Sequence, residues 1–289
     1  MTGLMRLDLH DRIAEALGAR ASDVSRLSGG CVGEVYRVRL EDGRDVVVKV
    51  DRRKEPNLDI EGFMLRYLAT HSPLPCPEVC HAEPALLVME HLPGASHFAE
   101  EAEEHAAELL ATCHGVRGAH FGLERDTLIG ALHQPNPPTA SWIDFFRENR
   151  LMHMAEHALM ERRLDRGHFR RIAKFAEKLD GLLEEPEYPA LLHGDVWTSN
   201  VLAQGDVITG FLDPAVYYGH PEIELAFINL FSTFGASFYE RYQALRGIRP
   251  GFFDTRCEIY NMYPLLVHTR LFGASYLGSV LRVLDKHGF

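Results

Sequence analysis

The stretch LLHGDVWTSN places an Asp two residues after a His and an Asn five residues after that Asp, and TGFLD ends on a further Asp. No packing need of a buried strand or helix explains this pattern. Asp195 is suited to take or orient the proton of an attacking hydroxyl. Asn200, through its carbonyl oxygen, and Asp213, through its carboxylate, are oxygen donors of the kind Mg²⁺ prefers, and such a cation would bridge nucleotide phosphates. The segment VLAQGDVITGFLD has a turn at Gly205-Asp206 between two β-rich runs. That hairpin would bring Asn200 and Asp213 to one end. His193 is expected to be structural, its ring hydrogen-bonding backbone and fixing the turn.

Lys49 stands in VVVKV, a strand otherwise made of valine. An ammonium in such a run needs an anionic partner, because burying it unpaired is costly. Nucleotide phosphates would serve, with Glu61 of the next predicted helix holding the side chain. A snorkelling edge-strand Lys beside a solvated Glu stays open as the plainer reading. Upstream, LSGGCVGEVYRV puts Ser28, Gly29, Gly30, Cys31 and Gly33 before a β run. Glycines let backbone N–H groups approach a phosphate, although such loops are also ordinary turns. Those N–H groups would favour a Cys31 thiolate, so oxidation there is expected to lower activity. In MEHLPG, Glu90 and Leu92 could offer main-chain atoms to an adenine edge.

These residues need a scaffold. EVYRVRL and DVVVKV, joined by EDGRD, read as antiparallel strands. A short helix is expected at 8–20 and another at about 57–70, with Ile60, Phe63, Met64, Tyr67 and Leu68 on one face. SPLPCPE reads as a loop, as does the Cys76–Cys80–His81 region, which is short of ligands for zinc. ALLVMEHL reads as a buried strand. Beyond residue 94 the pattern is helical, with 191–218 alone extended. His153 and His157 lie i, i+4 on an expected exposed polar helix face. The fold class is therefore α+β: a small antiparallel sheet with one helix over 1–92, then a larger, mainly helical part over 93–289. A cleft between the two is where a ligand would sit.

Bulk properties narrow the function. The chain has 289 residues, 46% hydrophobic and 25% charged, with formal charge −11. That balance argues against nucleic acid as a partner. No run approaches the ~20 apolar residues of a membrane helix. The opening MTGLMRLDLHDR is broken by charge too early for a signal peptide, so a cytoplasmic protein is expected. The five cysteines lack a disulfide-framework spacing and are expected as reduced thiols. Nothing specifies an oligomeric state.

Taken in order, the motifs resemble those of kinases. Gly30, Gly33 and Val35 fit G-x-G-x-x-G-x-V, with Ser28 in the first position. His193, Asp195 and Asn200 fit H-x-D-x-x-x-x-N, and Asp213 fills the following metal-binding Asp. HGD and DPA resemble the small-molecule kinases of the aminoglycoside phosphotransferase superfamily. FGLERDTLIGALHQPNP, SWIDFFRENRL, LLHGDVWTSNVL and DPAVYYGHPEIELA narrow the resemblance to the fructosamine (ketosamine) kinase family, from about residue 27 onward. The resemblance implies a two-lobed protein-kinase-like fold and dependence on ATP and Mg²⁺. It implies transfer to a sugar hydroxyl, O3, of fructosyl- or ribulosyl-amines, free or on a glycated protein lysine, as a repair of glycation. Thr198, Ser199 and Glu224 depart from the usual residues; Glu224 keeps a carboxylate that would brace the catalytic loop. Trp197 is a stacking wall for the sugar or a core aromatic. His133 and Trp142, with Gln134 and Asn136, shape the acceptor side or serve packing. The alternatives are an aminoglycoside or other small-molecule phosphotransferase, and a pseudokinase binding module, which the presence of Lys49, Asp195, Asn200 and Asp213 disfavours.

Overall fold

The computed structural model describes residues 3–27, 33–273 and 275–289. The chain opens with α1 (Gly3–Leu17), β1 (Ala21–Arg26), β2 (Glu34–Leu40), β3 (Asp45–Val50), α2 (Leu58–His71), β4 (Val79–Glu83) and β5 (Leu86–Glu90). The five strands form one antiparallel sheet in the order β1-β2-β3-β5-β4. Side chains alternate across β3. Val46, Val48 and Val50 meet Leu9 and Ile13 of α1 on one face. Val47 joins Leu58 and Leu65 of α2 on the other. Lys49, two residues further, is thereby aimed at α2 rather than at solvent. Close approach of α2 to the sheet is possible because residue 62 is Gly: a Cβ there would lie 2.6 Å from the Ala82 methyl.

The remainder comprises α3 (Glu100–Cys113), β6 (Thr127–Ile129), β7 (Leu132–Gln134), α4 (Trp142–Phe146), α5 (His153–Met160), α6 (Arg166–Ala176), β8 (Ala190–Leu192), β9 (Val201–Gln204), β10 (Val207–Phe211), β11 (Tyr217–Gly219), α7 (Pro221–Leu230), α8 (Ala236–Arg246), α9 (Cys257–Phe272) and α10 (Leu277–Lys286). Three two-stranded pairs lie among these helices: β6 with β7, β8 with β11, and β9 with β10. One core runs through this part, and Met64 and Leu68 of α2 belong to it. So α2 packs on the sheet with one side and on the helical part with the other. Among the described residues no helix is long and apolar enough to cross a membrane.

Two expectations are corrected. The β6–β7 hairpin lies outside 191–218; strands of three residues are too short for an alternating pattern to show. Cys80 and His81 lie in β4, not in a loop. β4 is a half-exposed edge strand with a register shift between Val79 and His81, which gives it the polar look of a loop. The helical segment Trp142–Met160 is continuous, with a π-helical turn over Arg147–Met152 where Arg150 is fully buried.

Trp142 is corrected as well. It lies in the core with no exposure, beside Phe121, Phe146 and Tyr260. Its indole N–H donates to the Tyr260 hydroxyl at 3.1 Å. A side chain so enclosed packs the helical part and does not present a face to an acceptor. Trp142→Ala should therefore cost about 3–5 kcal/mol of stability in a denaturant titration, with Trp142→Phe costing clearly less.

Candidate active site

The loop after β8 carries His193, Gly194 and Asp195, and a 3₁₀ turn (Thr198–Asn200) leads into β9. Because β9 and β10 pair antiparallel, Val201 opposite Phe211, their outer ends coincide. The Leu212 N–H donates to the Asn200 carbonyl at 2.8 Å, so Asn200 and Asp213 end up side by side. The Asn200 amide donates to the Asp195 carboxylate and to the Asp195 carbonyl, both at 3.0 Å. Asp213 holds a left-handed backbone, φ 51°, an uncommon conformation for a residue with a Cβ.

The loop is braced from beneath. Glu224, at the start of α7, accepts the Gly194 N–H at 2.5 Å through one carboxylate oxygen. Its other oxygen meets His114 Nε2 at 2.8 Å, and His114 Nδ1 meets the Tyr242 hydroxyl at 2.8 Å. Burial would raise the Glu224 carboxyl, but its bonds to His114 and Gly194 hold it below the usual range. Gly194 has φ 87°, and a Cβ would lie 2.1 Å from the Ala215 carbonyl oxygen, so only glycine fits. The Ala215 N–H in turn donates to the His193 carbonyl. His193 Nδ1 accepts the Asp195 N–H at 3.3 Å, and burial keeps its ring below the ordinary imidazole pKa. The sequence contained no signal for His114: a lone His after a helix has no informative spacing.

Lys49 reaches both Glu61, at 2.6 Å, and Asp213, 164 residues away. Lys49 is 5% exposed and Glu61 9%. Burial opposes the Lys49 charge, yet the two carboxylates more than offset it and hold the ammonium above its ordinary pKa. Burial pushes Glu61 up to about 7 against the pull of Lys49. Burial works to raise Asp213 too, but Lys49 prevails and holds it low. Asp195 has no cation of its own. Burial and the neighbouring Asp213 carboxylate push it up to about 8, with the Asn200 amide acting in the opposite sense.

Ser28, Gly29, Gly30 and Cys31 lie outside the described residues. Gly33 leads into β2, and a Cβ on it would meet the Val50 carbonyl oxygen at 2.5 Å. At the end of β5 the Glu90 N–H donates to Glu78 and the His91 N–H to Asp45. The Leu92 N–H has no hydrogen bond among the described residues. Asp195 and Trp197 line a cleft with Ile129, Phe227, Tyr263 and Leu271. Trp197 is half-buried there, its ring 5.9 Å from that of Phe231. His133 is not among the lining residues: it is exposed on β7 and paired with Asp126 at 2.9 Å. His153 and His157 do not form the open polar face expected: both are half-buried, their rings 4.4 Å apart.

A hard divalent cation fits the donor set. The Asn200 amide nitrogen is engaged by Asp195, and its carbonyl oxygen has no hydrogen bond among the described residues. The described residues contain no cluster of three or more His, Cys, Asp or Glu able to hold a metal alone. Asn200 and Asp213 would thus share the ion with phosphate and water oxygens, as Mg²⁺ commonly requires.

The model of the fructosamine kinase family matches residues 5–287. The chain belongs to the fructosamine kinase family. Like other fructosamine kinases, it is a phosphotransferase. A Synechocystis protein named "Probable ketoamine kinase" is 36% identical, covering 92% of this chain and 90% of its own. A rice protein named "Protein-ribulosamine 3-kinase, chloroplastic" is 28% identical over 95% of this chain and 81% of its own. The crystal structure of a Thermobifida fusca protein assigned as a fructosamine-3-kinase superposes with a TM-score of 0.84 at 31% identity, covering 96% of this chain and 97% of that one. An aminoglycoside phosphotransferase in complex with ADP and hygromycin B shares the fold, with a TM-score of 0.69 at 18% identity. The fold is thus protein-kinase-like.

The raised Asp195 carboxyl has a consequence for stability. The native state holds that proton up to about pH 8, whereas an unfolded Asp loses it near 3.8. Between those values the native state binds more protons, so Asp195 lowers stability as pH rises. Asp195→Asn should therefore raise the melting temperature at pH 8 and flatten the decline between pH 5 and 8; an equal or lower melting temperature across that range contradicts this.

Proposed function

We propose that this protein transfers the γ-phosphoryl group of ATP to a sugar hydroxyl, O3, of a ketosamine, and that the phosphorylated adduct then breaks down more readily, reversing glycation. The observation that carries this reading is the position of Asp195. Its carboxylate accepts from the Asn200 amide and also lines the cleft walled by Trp197, so it borders both the charged cluster and the open side of the site.

Residues 1–92 hold the nucleotide and 93–289 carry the chemistry. The Glu90 carbonyl and the Leu92 N–H take the adenine edge. Ser28, Gly29, Gly30, Cys31 and Gly33 remain the proposed phosphate contacts from the sequence pattern, and Lys49, steadied by Glu61, meets the phosphates. Asn200 and Asp213 would hold Mg²⁺, which would neutralise the triphosphate charge. Asp195 accepts the proton of the sugar hydroxyl as the new P–O bond forms and the bond from phosphorus to the bridging oxygen breaks, leaving ADP. A cation held by Asn200 and Asp213 would lower the Asp195 carboxyl and leave it ionised to take up that proton. Glu224 and His193 keep the loop rigid, so most of the rate arises from positioning and electrostatics. Trp197 offers a flat wall for the sugar.

The test is a phosphorylation assay with ATP and Mg²⁺ across fructosyl- and ribulosyl-amines and a set of aminoglycosides, with the phosphorylated carbon located by NMR. Ketosamines should be phosphorylated at O3 and aminoglycosides should not. Asp195→Asn should lose turnover by about 1,000-fold or more while ATP affinity changes only a few-fold. Turnover retained in that variant contradicts the assignment of the base.

A further inference from the structure

We infer that the cleft beside Asp195 selects ketosamines whose amine carries an uncharged alkyl substituent, and that it rejects those with a carboxylate next to the nitrogen, as in adducts of free α-amino acids. This rests on the reading of the site as a ketosamine kinase. The walls are hydrocarbon: Ile129 of β6, Ile223 and Phe227 of α7, Val267 and Leu271 of α9. Among the described lining residues there is no Lys or Arg, and the only carboxylates are Asp195 and Glu224.

Among the described residues, Lys49, Arg150 and His268 are each engaged elsewhere. Lys49 is held by Glu61 and Asp213. Arg150 lies behind the wall, its guanidinium 3.9 Å from the Tyr217 ring centre and bonded to the Pro135 carbonyl and Asn136. His268 lines the cleft, but its Nδ1 contacts the Pro264 carbonyl at 2.8 Å, and its ring sits among Phe231, Phe272 and Tyr276. Burial there keeps it neutral.

The chemistry of the acceptor fixes what must enter. In a ketosamine, O3 is separated from the amine nitrogen by three carbons, about 5 Å of extended chain. With O3 at Asp195, the nitrogen and the first atoms of its substituent fall inside the cleft. Sugar hydroxyls are poorly served by hydrocarbon and stay at the Gly194–Asp195 end. Each methylene of the substituent that leaves water there gains about fourfold in binding. A carboxylate beside the nitrogen would instead meet no protein cation, only the ammonium of the ketosamine itself, and would lie close to the Asp195 and Glu224 carboxylates, at a cost of about 10- to 100-fold in kcat/KM.

The experiment compares three adducts, each prepared in fructosyl and ribulosyl form, with ATP: those of hexylamine, leucine and leucine amide. Leucine amide matches leucine in shape and lacks only the charge. Hexylamine and leucine amide adducts should exceed the leucine adduct by about 10- to 100-fold in kcat/KM. Leu271→Arg should narrow the gap between leucine and its amide; if that variant does not fold, the wild-type ratio of acid to amide decides alone. A leucine adduct that equals or exceeds its amide overturns the inference while leaving the kinase reading intact. Failure to phosphorylate any of the adducts overturns the kinase reading and the inference with it.

Discussion

One ammonium between two carboxylates ties the molecule together. Lys49 comes from the sheet, Glu61 from α2 and Asp213 from the loop after β10, and their contacts bring distant parts of the chain to one point. Such a buried cluster tolerates no missing member, since removing one partner of a buried pair commonly costs about 3–5 kcal/mol. It also places a fixed ammonium beside an ionised Asp213.

The catalytic loop is held just as firmly from the other side. Glu224 clamps the Gly194 N–H, and His114 and Tyr242 fix Glu224 from within the core. Between these two supports Asp195 is left without a cation. Its carboxyl is pushed up by burial and by Asp213, which destabilises the fold at neutral pH. Strain of this kind is expected at sites retained for activity rather than stability. The left-handed backbone of Asp213 is a second instance in the same place.

Much of this arrangement was legible in the sequence because chemistry there contradicts packing. Lys49 among valines and Asp195 between apolar runs have no reason to be where they are unless partners exist, and the hairpin at Gly205-Asp206 placed Asn200 beside Asp213. Long helices and the central strands were legible from their periodicity. The β6–β7 pair was not, since three-residue strands show no period. His114 and Arg150 were invisible because their partners lie on other elements, at no regular spacing. Trp142 misled for a related reason: its neighbourhood in the chain suggested the acceptor side, while its indole is satisfied by Tyr260 deep in the core.

We propose that Lys49 and Asp213 act on the transferred phosphoryl group as one charge unit. The most direct test is a double-mutant cycle on kcat with Lys49→Met and Asp213→Asn. Groups that act as a unit are strongly non-additive, so the double variant should be about as slow as the slower single one. Losses that multiply, each substitution acting in full regardless of the other, would contradict the account.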